Sequence, residues 1–145
     1  MLVKIVEKDE EYYKINDLVD TLKKNEKIDE SGAMFTFEGF VRGKEDDQEI
    51  KDLTLTLPDK EKTEKELIEA IKDIEEKYCV YEIATVHYIG KFFTGDTLFL
   101  VGVLGSHRDK TLKALSAAIE KIKYGFDFKK EEVSNTGTRV ILAGG

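Results

Sequence analysis

The chain has 145 residues, of which 41% are hydrophobic and 37% are charged, and these values fit a single domain over residues 1–145. A net charge of -7 argues against general nucleic-acid binding, and no apolar stretch approaches the roughly 20 residues that span a bilayer. The one cysteine, Cys79, excludes an internal disulfide and favours a reducing cytoplasm. An acidic protein that binds an anion must therefore gather its positive groups locally.

Strand-like and helix-like segments are mixed along the chain, and several are joined by short turns that suggest hairpins. This pattern predicts an α+β domain with mixed or antiparallel strands and about three helices. Strands are predicted at residues 2–6, 32–41, 53–57, 80–89 and 97–104, with two more in the tail. Helices are predicted around residues 15–22, after a capping box at residues 63–66, and from about 106 to 123. Residues 43–48 are predicted to form a polar loop, and residues 94–96 a turn.

The segment at residues 97–104 is a nearly unbroken apolar run. A strand that packs on only one face would alternate apolar and polar side chains, whereas this one does not. We therefore predict a central strand that is buried on both faces.

Arginine is scarce in this chain, and this makes each one worth locating. Only Arg42, Arg108 and Arg139 are arginines among the 23 basic residues. A planar guanidinium binds phosphate or carboxylate with two parallel hydrogen bonds, whereas lysine acts more as a point charge. Arg42 ends its predicted strand beside the polar loop, where an anion could be reached.

Arg108 lies with His107 where the apolar strand turns into the last helix. Ser106 can cap that helix, and Asp109 favours the same start. Unpaired backbone N–H groups at a helix start attract anions, and an arginine and an imidazole there strengthen the attraction. The alternative is a surface arginine beside a histidine that only packs.

Lys123 is eleven residues after Leu112 and therefore shares the predicted helix face of Leu112, Leu115 and Ile119. A lysine on an apolar face must find water or a partner for its ammonium. It either extends to solvent at the helix end or serves as acid, base or nucleophile in a pocket. Lys129 and Lys130 follow on a predicted strand, where neighbouring side chains point to opposite faces, so only one of them can share that pocket.

Five motifs in order resemble the large, catalytic subunit of molybdopterin synthase. The strand that ends in Gly39-Phe40-Val41-Arg42 is similar to that family's Gly-x-Val-Arg segment, and the junction at Ser106-His107-Arg108 is similar to its strand-to-helix junction. The remaining motifs are Thr63-Glu64-Lys65-Glu66-Leu67, Val86-His87-Tyr88-Ile89-Gly90 with Gly95-Asp96, and Lys123 with Phe128 and Lys130-Glu131-Glu132. The resemblance covers residues 32–139.

The resemblance implies an α/β-hammerhead fold and a homodimer at the centre of a heterotetramer. A small ubiquitin-like subunit would deliver sulfur from its C-terminal Gly-Gly thiocarboxylate to cyclic pyranopterin monophosphate, which forms the molybdopterin dithiolene without a cofactor or metal. Lys123 would be the catalytic lysine and Lys130 the second one. The residues implied to bind the substrate are Phe40, Val41, Arg42, His107, Arg108, Lys123, Lys130, Glu131 and Glu132. His87 is interpreted as structural.

Several positions depart from the family pattern. Tyr88 stands where the family has arginine, Asp127-Phe128-Lys129 replaces its Pro-x-Trp segment, and Leu57-Pro58 is a remnant of its Glu/Tyr-Pro stretch. These changes leave open a catalytically degenerate paralogue that only binds a ubiquitin-like partner or phosphorylated ligand. A third hypothesis is an unrelated regulator that binds an anion at the helix start, residues 106–109. The terminal Gly144-Gly145 suggests a tail that could occupy the thiocarboxylate channel.

Overall fold

The computed structural model describes residues 1–46 and 48–142. Within them the chain forms one α+β domain, which confirms the predicted class. The helices are α1 (Ile15–Lys23), α2 (Lys60–Tyr78) and α3 (Arg108–Tyr124), with a short 3-10 turn at Ile28–Glu30. The strands are β1 (Val3–Glu7), β2 (Ala33–Phe40), β3 (Lys44–Glu45), β4 (Gln48–Thr56), β5 (Glu82–Phe92), β6 (Thr97–Gly105), β7 (Lys129–Ser134) and β8 (Gly137–Leu142). No helix in this part of the chain is long and apolar enough to cross a membrane.

The eight strands form one mixed sheet in the order β2-β6-β5-β4-β7-β8, with β1 beside β5 and β3 beside β4. Only the β1–β5 pair is parallel among these strands. The long strand β5 pairs with β6 up to His87 and with β4 from Gly90 onward. Gly90 has a φ of 125°, which a residue with a Cβ rarely adopts, and it lies where β5 changes partner. The sheet therefore has two parts that share β5.

Helices cover both faces of the β5–β6 pair. Helix α1 packs Leu18 and Leu22 onto one face, while α2 and α3 pack Ile71, Ala118 and Ile122 onto the other. Along β6 every residue from 99 to 105 is buried. The prediction of a central strand buried on both faces is therefore confirmed, and the unbroken apolar run is explained by the helix layers on both sides.

Two predicted helix starts differ from the structure. Helix α2 begins at Lys60, because the Asp59 carboxylate caps it by accepting the Lys62 N–H at 3.2 Å, and Thr63 lies inside the first turn. The predicted capping box at residue 63 is therefore wrong. Helix α3 has His107 rather than Ser106 at its N-cap, and no side chain caps it. The Ser106 hydroxyl contacts His107 Nδ1 at 3.0 Å instead.

The segment predicted as a polar loop contains a short hairpin. Strand β3 pairs with the start of β4, with Lys44 opposite Glu49 and Glu45 opposite Gln48. The loop prediction is wrong at these residues because cross-strand pairing, rather than their polar side chains, decides their conformation. Asp47, which belonged to the same prediction, lies outside the described residues.

Gly105, the last residue of β6, packs against the first turns of α3. A Cβ at this position would overlap Thr111 Oγ1, and Thr111 in turn donates a hydrogen bond to the His107 carbonyl at 2.6 Å. We expect Gly105→Ala to lower the free energy of unfolding by about 1–3 kcal/mol through overpacking. Ser106→Ala is the matched control, and we expect a change within about 0.5 kcal/mol because Ser106 does not cap the helix. Urea unfolding measures the free energy of unfolding of both variants. A loss of more than about 0.5 kcal/mol in Ser106→Ala would support the predicted capping role of Ser106.

Candidate functional site

Three separate parts of the chain meet at one cavity of about 110 Å³: the segment after β2, the C-terminal end of α3, and β7. Six of the residues singled out from the sequence line it, namely Phe40, Val41, Arg42, Lys123, Lys130 and Glu132. Sequence reasoning missed four others, namely Glu45, Ile50, Leu53 and Leu98. Their apolar or acidic character carries no signal of a site until strand pairing places them on the same wall.

Backbone hydrogen bonds fix the segment that carries Arg42. Val41 N–H donates to the Asp96 carbonyl at 2.9 Å, and Gly95 N–H donates to the Val41 carbonyl at 2.9 Å. Val41 is buried, whereas Arg42 is exposed at the cavity rim. The turn between β5 and β6 therefore holds Arg42 at the entrance even though β2 has already ended.

Lys123 lies on the flank of α3 rather than on its buried face. The buried residues of α3 are Thr111, Ala114, Leu115, Ala118 and Ile122. Leu112, which was expected to share a buried face with Lys123, is 51% exposed, and Lys123 is exposed as well. The predicted apolar face is confirmed at Leu115 and Ile119, which pack on the core, and wrong at Leu112 and Lys123, because the packed strip is centred on Ala118 and Ile122. The Lys123 side chain consequently reaches both the cavity and solvent.

Alternation along β7 separates Lys129 from Lys130. Lys130 lines the cavity with its side chain 19% exposed, whereas Lys129 and Glu131 are exposed outside it. In the sheet Lys130 lies opposite Leu55 of β4. Strand pairing therefore selects Lys130 as the lysine on the cavity wall, and it places Glu131 away from the cavity.

Glu132 is a buried carboxylate between two basic groups. Its side chain is 5% exposed, and its two oxygens lie 3.4 Å from Lys130 Nζ and 2.6 Å from Arg139 Nη2. The hydrogen bond to Glu132 raises the pKa of the Arg139 guanidinium above its ordinary value, with a smaller contribution from Glu45. Among the described residues, the cavity wall carries the basic groups of Arg42, Lys123 and Lys130 beside the carboxylates of Glu45 and Glu132, so basic groups gather locally in a chain of net charge -7.

His107 and Arg108 do not reach this cavity within one chain. Both are exposed at the start of α3, while Lys123 is near its end. Fifteen residues separate Arg108 from Lys123, which places their Cα atoms about 22 Å apart along the helix. The structure therefore brings Arg42, Lys123 and Lys130 together and leaves the His107-Arg108 pair elsewhere.

A smaller chamber of about 70 Å³ adjoins the cavity and shares Lys123 and Lys130 with it. His87 forms part of its wall, with its ring stacked between Phe99 and Phe128 at centroid distances of 5.3 and 4.1 Å. Nδ1 lies 2.8 Å from the Tyr88 carbonyl, to which a neutral imidazole donates. Burial lowers the pKa of His87 to about 4, so the ring is uncharged at neutral pH.

Comparison with known proteins identifies the family to which this α+β domain belongs. The family model described as MoaE protein matches residues 8–125. A molybdopterin synthase catalytic subunit of Yersinia pestis is 33% identical over 114 residues, covering 78% of this chain and 74% of the relative. The chain therefore belongs to the MoaE protein family.

Solved structures agree with the fold. A molybdopterin synthase structure from Staphylococcus aureus superposes with a TM-score of 0.80 at 26% identity, covering 96% of each chain. A complex of subunits 1 and 2 of molybdopterin-converting factor from Helicobacter pylori superposes with a TM-score of 0.66 at 22% identity, covering 97% of this chain and 88% of the other. The expected hammerhead-type domain is thereby confirmed at the level of the fold.

The buried imidazole predicts a pH dependence of stability. The unfolded chain binds a proton at His87 near pH 6.5, whereas the folded chain does so only near pH 4. Stability from this group is therefore complete above about pH 6.5 and falls by on the order of 3 kcal/mol as the pH drops to about 4. Urea unfolding at a series of pH values gives the free energy of unfolding of the wild type and of His87→Gln. We expect the wild-type value minus the variant value to decrease as the pH is lowered from about 6.5 to about 4. A flat difference for His87→Gln would contradict a neutral buried ring.

Proposed function

We propose that this chain is the catalytic subunit of a molybdopterin synthase. It transfers sulfur from the C-terminal thiocarboxylate of a small ubiquitin-like subunit to cyclic pyranopterin monophosphate and so forms the molybdopterin dithiolene. The observation that carries the proposal is the meeting of Arg42, Lys123 and Lys130 at one cavity in a member of the MoaE protein family. The reaction is proposed to take place in the cytoplasm, and the choice between molybdenum and tungsten is made downstream.

The cavity residues suit the charges of this reaction. Arg42, at the rim, can bind the substrate phosphate with two hydrogen bonds, and Lys130 supplies a second positive charge from the wall. Opening the cyclic phosphate and replacing oxygen by sulfur require stabilisation of developing negative charge and proton transfer. Lys123 is the residue we assign to proton transfer beside the incoming thiocarboxylate, because it borders both the cavity and the adjoining chamber.

A homodimer provides a role for the two residues at the start of α3. His107 and Arg108 lie about 22 Å from Lys123 in one chain, which is too far for one small substrate to contact both sets. In a dimer with two-fold symmetry, the α3 start of one copy can complete the cavity of the other. We propose that the substrate site is shared in this way, with a small subunit bound at each end of the dimer.

The Gly144-Gly145 tail, which the sequence suggested as an occupant of the thiocarboxylate channel, lies outside the described residues.

Three of the positions that depart from the family pattern, Tyr88, Asp127 and Lys129, lie away from the cavity wall, whereas Phe128 lines the adjoining chamber beside His87. The Tyr88 hydroxyl bonds the backbone of Tyr13 at 2.8 and 3.1 Å, Asp127 is exposed, and neither borders the cavity. This favours a working enzyme over the degenerate paralogue, because the basic residues of the cavity are intact. Membership of the family removes the hypothesis of an unrelated anion-binding regulator.

Replacement of Lys123 tests the catalytic assignment. We expect Lys123→Ala to lower dithiolene formation by at least about a hundredfold, as loss of a general acid or base does, while partner binding and the fold persist. The measurement is a reconstitution with thiocarboxylated small subunit and cyclic pyranopterin monophosphate. Lys121→Ala is the matched control on the same helix, since Lys121 is exposed and borders a different groove. Tight partner binding by a wild type that forms no product would favour the degenerate paralogue.

Mixing two inactive variants tests whether the site is shared between copies. Lys123→Ala and Arg108→Ala should each be inactive alone, because every site then lacks one group. After unfolding and refolding together, about a quarter of the wild-type activity should return, since half of the dimers are mixed and each has one intact site. If mass spectrometry shows mixed dimers but no activity returns, Arg108 and Lys123 must act within the same chain.

A further inference from the structure

Lys8 and Asp96 form an ion pair beside the turn that joins β5 to β6, outside the cavity. Lys8 Nζ lies 2.5 Å from Asp96 Oδ2 and 2.9 Å from the Lys91 carbonyl, so one ammonium binds residues on both sides of the turn. The hydrogen bond from Lys8 holds the pKa of the Asp96 carboxyl below its ordinary value, so this group is a carboxylate at neutral pH. The pair therefore ties the turn to the residue that follows β1.

The Asp96 carboxylate also closes the turn on which it lies. The Phe93 N–H donates to Asp96 Oδ2 at 2.8 Å, and the Asp96 N–H donates to the Phe93 carbonyl at 3.0 Å. Gly95 has a φ of 85°, which the third position of a type II turn requires. The Lys8 ammonium lies 5.3 Å from the ring centroid of Phe92 and 5.4 Å from that of Phe93. Lys8 is thus held by charge, by a hydrogen bond to the backbone and by aromatic rings at once.

The turn holds the residues on both sides of Arg42. Val41 exchanges two backbone hydrogen bonds with the turn, each 2.9 Å long. Gly43 packs so closely on the turn that a Cβ there would lie 2.8 Å from the Thr94 side chain. The Ile50 N–H of β4 donates to the Gly43 carbonyl at 2.9 Å and provides a second, separate anchor. The position of the Arg42 backbone therefore depends on the turn before Arg42 and on both the turn and β4 after it.

We propose that Lys8 and Asp96 are positioning residues, which fix the turn so that Arg42 stays at the cavity rim where it binds the substrate phosphate. This rests on the proposed function, because Arg42 is taken to bind that phosphate. Neither Lys8 nor Asp96 lines the cavity, so both act through the backbone that carries Arg42. Without the ion pair the turn loses its tie to β1, and binding must then also order the segment that carries the guanidinium.

Removal of either charge tests the positioning role. Asp96→Asn keeps the shape of the side chain, and Lys8→Met keeps an apolar stem against the two rings. In the reconstituted reaction we expect each variant to raise the KM for cyclic pyranopterin monophosphate about five- to tenfold, while kcat changes less than about threefold. Loss of folded protein would instead lower the apparent kcat and leave KM unchanged.

Lys91→Met is the matched control for Lys8→Met. The Lys91 ammonium lies 5.7 Å from the Phe93 ring centroid, but its carboxylate partner is Asp52 of β4, at 3.8 Å, rather than Asp96 of the turn. We expect both kinetic constants to stay within about twofold of the wild type, as for a surface substitution. A rise in KM equal to that of Lys8→Met would overturn the specific role of the Lys8–Asp96 pair.

A double-mutant cycle shows whether the pair acts through Arg42. The measured quantity is kcat/KM, which can be determined even when the substrate does not saturate the enzyme. If the pair positions Arg42, Asp96→Asn should lower kcat/KM less than about twofold in the Arg42→Ala background, against about five- to tenfold in the wild type. Equal effects in the two backgrounds overturn the proposal, because the pair then acts independently of Arg42.

Amide hydrogen exchange gives a readout that does not depend on turnover. In Asp96→Asn we expect the Val41 N–H to exchange at least about tenfold faster, while the Ile50 N–H, which bonds the Gly43 carbonyl, changes less than about threefold. Unchanged exchange at Val41, or equal acceleration of both amides through general loss of stability, overturns the proposal. Selective acceleration at Val41 in a protein whose wild type forms no product supports the positioning of this segment and contradicts the proposed function instead.

Discussion

The arrangement of the whole domain depends on strand β5 (Glu82–Phe92), which pairs with three other strands. Its first half lies between β6 and β1, where helices on both faces bury it, and its second half pairs with β4, which carries β7 on its other side. The left-handed backbone at Gly90 marks the change of partner. Because β5 is shared, the tightly packed half of the sheet fixes the position of the half that carries the cavity lysine.

The charges of the cavity are better explained by function than by stability. Removing a carboxylate from water costs several kcal/mol, and apolar residues of similar size often stabilise a core as well as an ion pair does. The Lys130–Glu132–Arg139 network is therefore weak support for the fold. It does gather two basic groups around one buried carboxylate in a chain whose net charge is -7.

Helix α3 connects the two regions that can bind an anion. Its start carries His107 and Arg108, and its end brings Lys123 to the cavity. A rigid helix of 17 residues holds these regions apart, so a single chain cannot use both on one small substrate. The proposed site therefore requires the homodimer, which the family resemblance had only implied.

The sequence by itself determined the elements and most of the chemistry. The unbroken apolar run of β6, the helical periodicities and the scarce arginines all indicate local burial and charge, which depend on neighbouring residues. Arg42, Lys123 and Lys130, which these patterns singled out, line the cavity, and so do Phe40, Val41 and Glu132, which only the family resemblance implied. Local patterns failed at Lys123, where the packed strip of α3 is rotated from the expected one, and at the start of α2, where Asp59 provides an earlier cap.

Only the tertiary structure decided which residues face each other. The selection of Lys130 over Lys129, the pairing of Glu132 with Arg139 and the distance from Arg108 to Lys123 depend on strand register and helix placement. Register is set by hydrogen bonding between segments far apart in the chain, and a shift of one residue would turn each side chain of a strand to the other face. No pattern within a single segment contains that information.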